Sequence, residues 1–112
     1  MSTFIEHPTV VRPADLAEWR ADKMGKSTIY QTPRLLVGLN AFEPGQAHAL
    51  HAHEGMDKVY QVIDGEGTFL LDGRELPMKA GDMLAAPPGV PHGVCNSSTA
   101  RLLVLVILAP AP

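Results

Sequence analysis

A chain of 112 residues has the size of one domain and is long enough to bury about 60 to 70% of its unfolded surface. With a formal net charge of -3, 19% charged residues and no run of lysine and arginine, it offers neither nucleic acid nor an anionic membrane a basic surface. The longest apolar run, residues 102–109, is far too short for a membrane-spanning helix, residues 1–8 lack the basic start and apolar core of a secretion signal, and the single Cys95 excludes an intrachain disulfide, so a cytoplasmic protein is expected.

Residues 3–11 are mostly extended in character, with a break at Pro8. Pro13 suits the first turn of a short helix that continues through Ala14, Leu16, Trp19 and Arg20, places Leu16 and Trp19 on one face, and is closed by Gly25. Trp19 is expected to anchor this arm onto the main body or a neighbouring subunit rather than to cover a cavity.

From Ser27 onward the pattern is strands alone. They are expected at residues 27–31, 34–42, 47–53, 58–63, 68–71, 74–78 and 83–86, from His92, and at 101–108. Glu43-Pro44-Gly45, Asp64-Gly65-Glu66-Gly67, Asp72-Gly73 and Gly81-Asp82 supply the turns. Many short strands with frequent Gly and Pro indicate an all-β sandwich or barrel. Aromatic residues are only 5% of the chain, so aliphatic side chains are expected to line any interior cavity. The last strand is apolar on both faces, Leu102, Val104, Val106 and Leu108 against Leu103, Leu105 and Ile107. A strand with one wet face would alternate, so both faces should be covered, one by the barrel interior and the other by the N-terminal arm or a second subunit. A homodimer is expected on this ground.

Chemistry concentrates in two stretches. His51 and His53 are two apart in an extended segment, so both imidazoles point to one face and form half of a metal site. The rigid turn from Pro87 to Pro91 returns the chain antiparallel and brings His92 back toward them. His48, three before His51, should by alternation face the other way. Cys95, three after His92, reads in the same way as a small core residue. No phosphate loop or nucleophile elbow is present; Gly65 and Gly67 are turn chemistry.

Gly45, His51, His53 and Gly65 resemble the first motif of the cupin superfamily, G-x5-H-x-H-x(3,4)-E-x6-G, and Gly81, Pro87, Gly89, His92 and Asn96 match every defined position of the second, G-x5-P-x-G-x2-H-x3-N. The resemblance implies an all-β double-stranded β-helix, or jelly-roll cupin barrel, with a short N-terminal arm and helix. It sharpens the domain reading to one cupin domain over residues 1–112, arm 1–33 and barrel 34–109, and it too implies a homodimer. It also implies a divalent transition metal, Fe, Mn, Ni, Zn or Cu, held by His51, His53 and His92. One position departs from the pattern: Lys58 stands where most metal-binding relatives carry a glutamate ligand. Lys58 reads as a solvated strand end, or else as a neutral or substrate-pairing group near the site, and Asp57 reaches the site only if a bulge re-aims it.

Three neutral imidazoles leave coordination positions open, and the missing carboxylate leaves the ion its full charge, which favours an anionic small-molecule partner such as a carboxylate or enolate. Tyr60 shares parity with Lys58 and is read either as a proton donor or substrate contact facing the cavity, or as a core filler with its hydroxyl at the barrel mouth. Two classes of function follow. The leading one is an enzyme of isomerase, decarboxylase or dioxygenase type acting on a small polar metabolite; the other is a non-catalytic cupin that holds a metal or small ligand.

Overall fold

A computed structural model describes residues 5–112, so the start of the extended reading, at residues 3–4, lies outside the described residues. A short 3₁₀ turn at Pro13–Leu16 is followed by nine strands: β1 (Gly25–Thr32), β2 (Leu35–Phe42), β3 (Ala47–His51), β4 (Asp57–Asp64), β5 (Glu66–Leu71), β6 (Arg74–Lys79), β7 (Met83–Ala86), β8 (His92–Cys95) and β9 (Leu102–Ala109). They form two antiparallel sheets, a five-stranded one in the order β1-β2-β9-β4-β7 and a four-stranded one in the order β3-β8-β5-β6. This is the double-sheet jelly roll expected from the sequence.

Strand β9 explains why the sheets close on each other. Its Leu102, Val104 and Val106 point inward and join Phe42, Tyr60, Val62, Phe69 and Val94 in the main core. Each such side chain contributes about 1.5 to 3 kcal/mol by leaving water. Three of these core residues, Phe42, Tyr60 and Phe69, are aromatic, whereas the apolar walls of the cavity between β1, β2 and β9 are the aliphatic Leu36, Leu39, Val106 and Leu108, as expected of a cavity lining. On the outer face Leu103 packs with Ile29, Leu39 and Ala41, and Ile5, Ala17 and Trp19 from the arm lie against that cluster. The arm therefore covers part of the outer face, and Trp19 is the anchor expected of it. The Arg101 guanidinium lies 4.6 Å from the Trp19 ring centre, and it pairs with Glu43 at 3.0 Å.

The expected helix is shorter than its sequence pattern. It stops after Leu16 because Ala17 is already extended, at φ -69 and ψ 138. In an α-helix the Leu16 carbonyl would accept from the Arg20 amide; here it accepts from the Ser27 hydroxyl at 3.0 Å. The chain then folds back so closely that a Cβ on Gly25 would strike the Glu18 carbonyl, which makes this glycine a close-approach residue rather than a helix cap. Strand β1, expected to precede the barrel that begins at residue 34, pairs with β2 from Gly25↔Ala41 to Thr32↔Leu35 and so forms the edge of the larger sheet.

Asn96, the last residue of the second motif, is fully buried. Its Nδ2 donates to the carbonyls of Phe42 at 3.0 Å and Ala100 at 2.8 Å, and its Oδ1 accepts from the backbone and hydroxyl of Ser98. It therefore ties the end of β2 to the β8–β9 loop. Asn96→Ala leaves these groups unpaired in the interior and is expected to lower stability by about 2 to 3 kcal/mol in urea unfolding, with metal stoichiometry unchanged.

Candidate metal centre

Strand β3 ends at His51, two residues short of the strand expected to run to residue 53, and His53 lies just past its end. Across from it β8 begins at His92, with His51↔His92 as a register pair. The Pro87–Gly89 turn holds the two segments together, because the Gly89 amide donates to the His53 carbonyl at 2.9 Å. The result is the convergence expected from the sequence: His51, His53 and His92 offer one ring nitrogen each, and these atoms lie within 4.8 Å of one another.

The ring orientations fit a divalent ion. His51 Nδ1 lies 2.7 Å from the Ala49 carbonyl and His92 Nδ1 lies 2.8 Å from the Val90 carbonyl. A carbonyl only accepts, so both Nδ1 atoms carry the proton and both Nε2 atoms present a lone pair. His92 Nε2 is buried with no hydrogen-bond partner, an unmet acceptor of the kind that a metal satisfies.

Strand β3 departs from simple alternation. His48 pairs with Val94 and His51 with His92, so two residues, Ala49 and Leu50, stand opposite the single Gly93. This is a β-bulge, and Gly93 admits it: a Cβ there would lie 2.7 Å from the His48 carbonyl. The bulge turns His48 to the same side as His51, with ring centres 4.2 Å apart. The expectation that His48 faces away is thereby overturned, although it stays outside the group of three ligand atoms.

Lys58 is also placed differently from the solvated strand end expected of it. It is only 4% exposed, and its Nζ lies 3.4 Å from His51 Nε2 and 4.8 Å from the Tyr60 ring centre. Position 58 thus faces the site, as the glutamate of the motif would. Burial, and then the charge of Lys26, pull the Lys58 ammonium down to about 8. No bulge re-aims Asp57, which is exposed. Tyr60 is 0% exposed and its hydroxyl is buried without a partner. Its ring meets the His92 ring edge-on at 5.7 Å. It is a core filler beneath His92, and the hydroxyl does not reach the barrel mouth. Cys95 is not part of the cluster, as its parity implies, but it is not the core residue expected either: it is half-buried, lies outside both core clusters and pairs with Ala47 and Thr68.

Burial lowers the basicity of the cluster. It pulls His48 from 6.5 to about 3, and it also lowers His51 and His92. Above pH 6.5 these rings are neutral in both the folded and unfolded chain. Below it the unfolded chain takes up protons that the folded chain refuses, so stability is lost as pH falls from about 6.5 toward the folded-state values. The melting temperature of the metal-stripped protein is expected to decline steadily from pH 6.5 to 4. His48→Leu should flatten that slope, and an unchanged slope would contradict the assignment.

Residues 38–108 match the family model of the cupin domain. The oxalate-binding protein of Thermotoga maritima is 31% identical over 88 residues, 79% of this chain and 72% of that protein. Among solved structures, TT1209 from Thermus thermophilus superposes with a TM-score of 0.87 at 40% identity, covering 92% of this chain and 98% of that one. An uncharacterised conserved protein with a double-stranded β-helix domain from Klebsiella pneumoniae gives 0.86 at 26% identity, covering 93% and 91%. Both motifs, the two-sheet barrel and the family match over most of the chain agree: the chain belongs to the cupin family.

Proposed function

We propose that this chain is a metal-binding cupin that takes a small carboxylate at a divalent ion held by His51, His53 and His92. The observation that carries the reading is the meeting of three ligand atoms within 4.8 Å beside the buried ammonium of Lys58. Fe, Mn, Ni, Zn and Cu all suit imidazole. When bound, the ion supplies a Lewis-acidic centre with positions open to an anion. Lys58, in place of a carboxylate ligand, replaces a negative charge by a positive one and moves the preference of the site further toward anions. The oxalate-binding relative supports the same class of ligand.

The surroundings favour binding over turnover. Tyr60 has its hydroxyl sealed in the core and Asp57 points to solvent, which leaves Lys58 as the group able to deliver a proton beside the cluster. A decarboxylase is the enzymatic reading that this one donor serves: carbon dioxide leaves, and a proton from Lys58 takes its place on carbon. Calorimetric titration with oxalate, malonate and acetate tests the proposal. Binding should be seen with metal-loaded protein and vanish after chelation; no binding in either state would sink it, and released carbon dioxide would move the reading to the enzyme.

The same proposal includes a homodimer and a cytoplasmic location. The single Cys95 fits a reducing compartment. Val37, Ile63, Leu105 and Ile107 on the outer face of the larger sheet stay half-buried beyond the arm, and a second copy would cover them. Light scattering should return the mass of two chains; the mass of one would refute the dimer.

A further inference from the structure

Beside the histidine cluster lies a cavity of about 200 Å³, set between β1, β2, β3, β4 and β9. Lys26, Lys58, Asn40 and His48, with Ser27 and Thr28, supply its polar lining and Leu36 and Val106 part of its apolar walls; no Asp or Glu side chain lines it, and the last residue, Pro112, lies against it, so at most one negative charge faces the two lysines. Among the described residues neither lysine has an ion-pair partner. His48 Nδ1 is buried with no hydrogen-bond partner. Two cations, an amide and an imidazole around one space form a donor-rich, net positive pocket, which is what a carboxylate needs and a neutral sugar or a cation does not. Lys58 and His48 are shared between the two sites: each lines the cavity, and each touches His51, through Nζ at 3.4 Å and through ring centres at 4.2 Å.

We propose that this cavity is a second anion subsite, in which Lys26, Lys58, Asn40 and His48 hold one carboxylate of a small dicarboxylate whose other carboxylate lies at the three-histidine centre. The proposal rests on the carboxylate reading of that centre. His48 and Lys58 line the cavity whereas His51, His53 and His92 do not, so a carboxylate in the cavity lies beyond the coordination sphere. The two carboxylates must therefore be separated by at least one carbon, as in malonate or succinate, because those of oxalate are joined directly and chelate a single ion. Lys26, exposed at the cavity rim on an edge strand, is the residue that sets this specificity.

The test is calorimetric titration of the metal-loaded protein with acetate, oxalate, malonate and succinate, for the natural chain and for Lys26→Gln, which alters an exposed side chain and leaves the core intact. Malonate or succinate should bind at least about ten-fold more tightly than acetate. Lys26→Gln should remove about five- to ten-fold of that affinity, the effect of losing one charge-assisted contact, with metal stoichiometry unchanged. Lys26→Arg should restore most of it. Oxalate as the tightest ligand, or affinities indifferent to Lys26, would overturn the subsite and leave the carboxylate centre standing. No binding of any carboxylate by the natural chain would overturn both.

Discussion

Changing His51, His53 and His92 together to alanine is expected to take the protein from about one bound divalent ion per chain to none. The expectation follows from the geometry, since no other group of three ligand side chains converges among the described residues. Single changes should not be equivalent. His92 is 1% exposed, with Nδ1 fixed by Val90 and Tyr60 beneath it, so it is the most rigidly held of the three candidate ligands. His53 lies past the end of β3 and is held through its backbone by Gly89. Removing an outer-shell partner of a metal ligand costs about 10- to 100-fold in affinity, and removing a ligand should cost more. His92→Ala should therefore be the most damaging single change. It also opens a hole in the core, so retention of the fold is read separately by circular dichroism. Elemental analysis of the variants gives the answer; a triple variant with full metal would contradict the site outright.

The second large effect is a gain. Lys58→Glu replaces an ammonium 3.4 Å from His51 Nε2 by the carboxylate that the family motif carries at this position. Two unit charges about 4 Å apart at an effective dielectric of about 20 interact by about 4 kcal/mol. Even a fraction of that, with the sign reversed from repulsion to attraction, amounts to an increase in metal affinity of about 10- to 100-fold. The same change should weaken carboxylate binding, because it removes a cation shared by the histidine centre and the neighbouring cavity. Lys58→Met separates the two contributions: it relieves repulsion without adding a ligand, and its metal affinity should fall between the other two. A competitive chelator assay ranks the three proteins, and a natural chain that ranks above Lys58→Glu would refute the placement of Lys58. Stability should move in the opposite direction for the metal-stripped variant, where a buried carboxylate has no cation to meet.

The behaviour of position 58 also shows where sequence reasoning ended. Lysine is among the residues least often buried, so a strand-end Lys58 reads as solvated; parity with Tyr60 was the signal that it faces inward, and the structure follows parity. His48 failed for the complementary reason. Strand alternation holds only while pairing is regular, and the bulge opposite Gly93 shifts the phase of β3 by one residue. A glycine inside a short strand next to His92 was the available clue to that bulge. The histidine triad itself was legible because its spacing and the Pro-Gly turn before His92 are local features that the fold simply joins. The nine strands were legible because Gly and Pro mark nearly every turn. The helix was overestimated since Pro13 and the Leu16 and Trp19 spacing say nothing about Ser27, eleven residues away from Leu16, whose hydroxyl takes the Leu16 carbonyl. That contact is tertiary, and periodicity does not contain it.

The most direct test of the account is a crystal of the metal-loaded protein measured at the absorption edge of the ion it carries. One anomalous peak per chain is expected, ringed by the ring nitrogens of His51, His53 and His92, with Lys58 Nζ drawn away from His51. A peak elsewhere, or a loaded and ligand-competent protein with no peak among the three histidines, would contradict it.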